Sequence, residues 1–101
     1  MNENKNLCEK SDETCIELET WDTKDQRVVL KNVCSENFDV SGWSVKDEGR
    51  KKYVFENKIL SPNEEVVLTP EDWNKTYVWT DSGDSIFVRD KGNKLVYFDS
   101  Y

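Results

Sequence analysis

The sequence predicts an all-β domain, a sandwich or barrel of about eight or nine short antiparallel strands. Its apolar residues fall in short runs rich in Val, Ile, Tyr, Phe and Trp, and turn residues separate these runs. Several runs alternate apolar and polar residues, which is the period of a strand with one buried face. The length of 101 residues suffices for one domain with a single core.

The first two runs are predicted to pair as neighbouring strands. In residues 15–21, Ile16 and Leu18 point to one side and glutamates to the other. A polar turn leads to residues 27–33, in which Val28 can face a core.

Turn chemistry divides the rest of the chain into further strands. Pro62 presets the φ angle of the second turn position, and Asn63 tolerates the positive φ that a type II turn requires at the third. Thr69 and Pro70 begin at most one helical turn, near residues 70–75. The remaining strands are predicted at residues 41–46, which a loop reaches through Phe38 and Val40, and at 53–55, 65–68, 77–79, 85–88 and 94–98, with a hairpin turn at residues 90–93.

The first residues of the chain differ from the rest. Residues 1–13 are polar and show no apolar period, so we expect a flexible leader there and one domain over residues 14–101. The longest apolar run, residues 95–98, is far shorter than the roughly 20 residues of a membrane-spanning helix. We therefore expect no spanning segment, and the compartment stays open.

The chain has an odd number of cysteines, so they cannot all pair within it. They are Cys8, Cys15 and Cys34, and none lies in a Cys-x-x-Cys motif. Their spacing fits no common zinc site, and the chain has no histidine to complete one. Ordinary thiols and a single disulfide both remain open. A bond between Cys15 and Cys34 requires the first two strands to be neighbours.

The apolar positions of the runs predict the core. Trp21 and Trp73 do not fit this pattern, so they are candidate anchors for a protein or sugar partner, with packing over the end of the sandwich as the alternative. The predicted core residues are Val28, Leu30, Trp43, Val45, Phe55, Leu60, Trp79, Ile86, Val88 and Leu95.

Catalysis is not expected, because a chain without histidine has no imidazole base for a Ser or Cys nucleophile. We also expect no cofactor. Asp81, Asp84 and Asp90 are weak candidates for a calcium site, since we expect them near one end of neighbouring strands. Turn aspartates more often bond their own backbone, and that is the alternative.

The one cationic cluster in the sequence is Arg50, Lys51 and Lys52, flanked by Lys46 and Lys58. It is a candidate contact for phosphate or for an acidic partner. The net charge of −7 disfavours DNA, and a solvated hairpin tip is the alternative.

Four segments in order resemble the lamin tail domain family over residues 15–101. They are a strand that ends in Asn32, the segment Asp39-Val40-Ser41-Gly42-Trp43, the turn at 60–64, and Trp79 followed by Gly83-Asp84-Ser85-Ile86-Phe87-Val88 with its turn at 90–92. Asn63 stands where the family favours Gly.

The resemblance implies an immunoglobulin-like β-sandwich that binds or tethers a partner. It supplies no active site, because the matching residues build the fold. Lamin-like relatives imply chromatin or envelope partners, and prokaryotic relatives imply secreted or cell-surface proteins. A protein partner is the leading expectation. A nucleic-acid-contacting domain using Arg50 to Lys52 and a calcium- or carbohydrate-binding sandwich are the alternatives.

Overall fold

The structure is a computed structural model that describes residues 15–80 and 82–101. Its regular structure within these residues is nine strands and one 3-10 helix, so the all-β prediction is confirmed. The predicted leader, residues 1–13, lies outside the described residues. The strands are β1 Ile16–Asp22, β2 Arg27–Asn32, β3 Phe38–Asp39, β4 Ser44–Lys46, β5 Lys52–Val54, β6 Ile59–Leu60, β7 Glu65–Leu68, β8 Ser85–Arg89 and β9 Leu95–Ser100, and the 3-10 helix is Pro70–Trp73.

Two antiparallel sheets enclose the core. One has the strand order β1-β2-β7 and the other β5-β4-β8-β9, while β3 and β6 form a separate short pair. Buried apolar side chains from both sheets, such as Leu30 and Ile86, belong to one cluster. The hydroxyl of Tyr97 on β9 donates a 2.6 Å hydrogen bond to the carbonyl of Ile16 on β1, which links the two sheets at one edge. Partial burial raises the pKa of Tyr97, and the negative charge of Glu17 adds to this shift.

Most of the predicted core residues lie where alternation places them. The cluster also contains residues outside the predicted set, among them Ile16, Val40, Leu68 and Val78. The predicted residues that are buried are Val28, Leu30, Trp43, Val45, Phe55, Leu60, Trp79, Ile86 and Val88.

Leu95 is the exception, because its side chain is 45% exposed. The pairing of β8 with β9 shifts register after Val88, so that Val88 pairs with Tyr97 while Arg89 pairs with Leu95. Val96 is the extra residue of this bulge, and it packs against the core instead. The bulge moves Leu95 to the outward face, and its assignment to the core is wrong.

The structure places Trp73 in the core rather than on the surface. Its side chain is 7% exposed, and its ring lies 6.1 Å from Trp79 and 6.0 Å from Tyr53, centroid to centroid. Trp21 is partly buried, packs edge-on against Trp79 at 5.4 Å and lies at a tilt to Tyr101 at 5.5 Å. These rings fill the interior with edge-to-face contacts, an arrangement that aromatic pairs favour.

The strand predicted at residues 77–79 is wrong, because this segment pairs with a side chain instead of a strand. The amide oxygen of Gln26 accepts hydrogen bonds from the backbone N–H groups of Val78 and Trp79, at 2.7 and 3.0 Å. Its amide nitrogen donates to the carbonyl of Trp79 at 2.9 Å and to that of Thr23 at 2.6 Å. Gln26 thereby replaces the neighbouring strand that the backbone of this segment would otherwise need.

The predicted turns are confirmed. Asn63 has a φ of 67°, and the N–H of Glu64 donates to the carbonyl of Ser61 at 2.9 Å. Pro70 begins the 3-10 helix, and the carboxylate of Asp72 accepts a 2.8 Å hydrogen bond from the N–H of Thr69. The turn at residues 90–93 joins β8 to β9 as a hairpin.

A disulfide joins Cys15 to Cys34, with 5.0 Å between their Cα atoms. It ties the chain just before β1 to the loop that follows β2, next to a 2.8 Å hydrogen bond from Val33 N–H to the carbonyl of Cys15. Of the two states that the sequence leaves open, the structure has the single disulfide. Cys8 lies outside the described residues.

Reduction of this disulfide should lower stability. In a Cys8→Ser background, a reductant should decrease the free energy of unfolding by about 3 kcal/mol, because the bond closes a loop of 19 residues in the unfolded chain. Urea unfolding with and without reductant measures the difference. The variant with both Cys15 and Cys34 changed to Ser should not respond to reductant. An unchanged curve for the parent would contradict the bond.

Removal of the Gln26 side chain should cost about 2 kcal/mol, because it leaves two partly buried N–H groups without their acceptor. Thermal and urea unfolding of Gln26→Ala measure this loss. Gln26 has a φ of 58°, so Gln26→Gly is the matched control for backbone strain. Both variants lose the hydrogen bonds, and the difference between them gives the cost of the positive φ; an alanine variant as stable as the parent would contradict the role of the hydrogen bonds.

Candidate interaction surface

The candidate surface is the outward face of the four-stranded sheet. Lys52, Lys46, Phe87 and Phe98 face one another across β5, β4, β8 and β9. The neighbouring residues in these strands, such as Val45, are in the core, so this row points outward. The row places two lysines beside two phenylalanines on one surface.

A second row lies beside the first. Val54, Ser44, Arg89 and Leu95 pair across the same four strands, again on the outward side. We call the combined surface the cationic aromatic face. It consists of Lys46, Lys52, Val54, Phe87, Arg89, Leu95 and Phe98.

The side chains of the cationic aromatic face are exposed or half-buried, and several of them contact one another. Phe98 is 54% exposed and its ring lies 5.1 Å from that of Phe87, centroid to centroid. The ammonium of Lys46 lies 5.7 Å and the guanidinium of Arg89 5.3 Å from the centroid of the Phe87 ring. These distances are those of cation–π contacts, which hold the two charges near the aromatic pair.

Loop contacts define the margin of this face. The ammonium of Lys46 also donates to the carbonyls of Asp47 and Gly49. At the same end, the carboxylate of Glu48 accepts a 2.9 Å hydrogen bond from the hydroxyl of Ser85. The two rows themselves contain three cations and no carboxylate, although the whole chain has a net charge of −7.

The cluster of Arg50, Lys51 and Lys52 is divided between different surfaces. Lys51 forms a 3.2 Å ion pair with the buried carboxylate of Asp47, and its ammonium lies 5.2 Å from the Tyr77 ring centroid. Lys52 belongs to the cationic aromatic face, and Arg50 is exposed in the preceding turn. Arg50 and Lys51 belong to the loop before β5 and only Lys52 is a strand residue, so these neighbours in sequence are separated on the surface.

The weak calcium candidates do not converge. Asp84 precedes β8 and Asp90 follows it, so they lie at opposite ends of one strand, and Asp81 is outside the described residues. Asp84 accepts hydrogen bonds from the N–H groups of Glu48, Thr80 and Ser85. Among residues 15–80 and 82–101, no three Cys, Asp or Glu side chains group as metal ligands. The expectation of these aspartates at one end of neighbouring strands is wrong for Asp84 and Asp90.

A shallow concavity of about 380 Å³ lies at the other end of the sandwich, with Asp39, Asp90 and Lys91 in its lining. The carboxylate of Asp39 accepts a 2.9 Å hydrogen bond from the N–H of Ser41, and that of Asp90 accepts one from the N–H of Lys94. Hydrogen bonds from Ser41 hold the pKa of Asp39 below its ordinary value, and the charge of Lys91 adds to this effect. Both carboxylates thus serve their own turns.

Two other carboxylates have lowered pKa values for the same reason. Hydrogen bonds from the backbone and side chain of Ser61 lower the pKa of Glu64, with a smaller effect from Lys58. The N–H groups of Asp25 and Lys24 lower the pKa of Asp22, and Arg27 contributes by its charge.

A family model described as the Lamin Tail Domain matches residues 10–101. The chain belongs to the lamin tail domain family. This membership confirms the immunoglobulin-like class of the sandwich and the resemblance noted in the sequence. No curated protein sequence matches the chain.

The lamin tail domain family consists of immunoglobulin-like modules of the kind that mediate protein interactions. Family membership therefore favours an exposed surface over a cleft as the candidate site. In the described part of the chain, no helix is long and apolar enough to cross a membrane.

Phe87, Arg89 and Phe98 are not among the binding residues that the sequence predicts. The signal was present for Phe87, because it stands between the core residues Ile86 and Val88 and must point away from them. Its neighbours across the sheet depend on strand order, which the alternation pattern does not contain.

Acid should destabilise this lamin tail domain through Asp22, Asp39 and Glu64. Because folding lowers their pKa values, their stabilising effect is present above the ordinary values of 3.8 for Asp and 4.5 for Glu and is lost as the pH falls below them. Carboxyl NMR titrations should give midpoints below those of the same residues in unstructured peptides. Equal midpoints in protein and peptides would contradict the turn hydrogen bonds.

Proposed function

We propose that this lamin tail domain is a binding and tethering module that attaches to an acidic protein surface through its cationic aromatic face. The observation that carries the proposal is the concentration of three cations and two phenylalanines on one outward sheet face of an acidic chain. The proposal assigns the domain no chemical reaction.

The composition of the face supports a protein partner. Aromatic residues and arginine are enriched at protein interfaces, where they supply apolar contact area and paired hydrogen bonds to carboxylates. Phe98, Leu95 and Val54 are each more than two-fifths exposed, so they offer apolar area in the free domain. The partner therefore has carboxylates and apolar side chains close together.

The position of the cations over Phe87 favours carboxylates over stacked bases. Single-stranded nucleic acid stacks its bases on open aromatic rings. Here Lys46 and Arg89 already lie near the Phe87 ring, which leaves Phe98 as the more open ring. An acidic protein surface needs no such stacking platform.

A titration with a short fluorescein-labelled peptide of alternating Glu and Leu tests this proposal. Fluorescence anisotropy should show binding, and Arg89→Gln should weaken it roughly fivefold to tenfold by removing one charge partner. Lys31→Gln makes the same charge change on the other sheet and should leave the affinity unchanged. A peptide with Lys in place of Glu should not compete with the labelled peptide for the cationic aromatic face.

A titration with a single-stranded oligonucleotide at two salt concentrations tests the alternative, which is nucleic-acid binding. Tighter binding to the oligonucleotide than to the peptide, with a steep loss at higher salt, would replace the proposal with nucleic-acid binding. Equal affinities of Arg89→Gln and Lys31→Gln for the peptide would also overturn the assigned face.

A further inference from the structure

The outward face of the three-stranded sheet has the opposite charge character. Glu17, Lys31 and Glu65 face one another across β1, β2 and β7. Leu30, the neighbour of Lys31, lies in the core, so this row points away from the interior. Two carboxylates therefore flank one lysine on this side of the sandwich.

Further along the same strands, Asp22 pairs with Arg27 on the outward side, and the bulge between Leu18 and Thr20 contains the exposed Glu19. Val67 on β7 is 48% exposed and pairs with Val29. We call this surface the acidic face. Its charged residues are the carboxylates of Glu17, Glu19, Asp22 and Glu65 and the cations Arg27 and Lys31.

We infer that the cationic aromatic face of one copy binds the acidic face of a second copy. This inference rests on the proposed function and names a partner for the same surface. The acidic face has four carboxylates against two cations, whereas the rows of the cationic aromatic face have three cations and no carboxylate. Charge complementarity of this kind fixes the orientation of two surfaces.

The geometry of the two faces is compatible with this contact. Both are built on paired strands about 4.8 Å apart, so neighbouring side chains within a row have the same spacing on the two faces. Each also has exposed apolar residues, with Phe98 and Leu95 on one and Val67 on the other. A partner chain therefore meets both matched charge and apolar area.

The position of the two faces determines the form of the assembly. They lie on opposite sides of the sandwich, because each is the outward side of one of the two sheets. The contact is therefore heterologous, and a row of copies keeps one unoccupied face at each of its two ends. The net charge of −7 on every copy opposes the contact, so the association is weak and depends on concentration.

Sedimentation velocity at concentrations up to about 1 mM, the range of a weak contact, tests the inference. Two variants each remove two charges from one face: Lys52→Gln with Arg89→Gln, which leaves one cation, and Glu17→Gln with Glu65→Gln. The parent should form species that grow with concentration, and each variant alone should stay monomeric. Their equimolar mixture should form dimers and nothing larger, because each pair contributes one intact face from each variant.

The matched control is Lys58→Gln with Lys75→Gln, which neutralises two lysines outside both faces and should associate like the parent. A monomeric parent at the highest concentration, or a mixture that stays monomeric beside an associating parent, overturns the inference. If the parent is monomeric but still binds the Glu-Leu peptide through Arg89, the second copy is excluded and the proposed function stands. If it neither associates nor binds the peptide, both fail.

Discussion

This fold depends on one constraint, which is that backbone N–H and C=O groups beyond the ends of its very short strands need hydrogen-bond partners. Strands of two to seven residues leave many buried N–H and C=O groups without a strand partner. Buried and half-buried polar side chains satisfy them. Asn32 donates to the carbonyls of Leu60 and Glu36 at 2.9 and 2.8 Å, as Gln26 and Asp84 serve other segments. These side chains allow irregular segments to lie against the core.

The same constraint explains which parts of the fold the sequence could predict. Alternation located most strands and the residues that fill the space between the sheets, because a period of two follows directly from strand geometry. It failed at Leu95 and at the segment before Thr80. A bulge changes side-chain direction without changing composition, and a glutamine that replaces a strand looks like an ordinary turn residue. Neither event leaves a periodic signal.

The candidate surface shows a different limit. Arg50, Lys51 and Lys52 are the most basic string in the chain, yet the structure separates them, and Lys51 is tied to a buried carboxylate. The residues that do form a cationic surface come from two pairs of consecutive strands, β4 with β5 and β8 with β9, and these two pairs are far apart in sequence. Phe87 and Phe98 meet because β8 and β9 pair as a hairpin, whereas Lys46 joins them through the long-range pairing of β4 with β8. Strand order is needed before these residues can be grouped.

The edge where β1 and β9 meet also determines how the domain would resist a pull on these two strands. Ile16 contacts Tyr97 and Trp21 contacts Tyr101, so the two strands run side by side in the same direction. A pull applied at the two ends of residues 16–101 therefore draws β1 and β9 past each other along their length. All side-chain links along this edge then resist together in shear, instead of opening one after another as in a zipper.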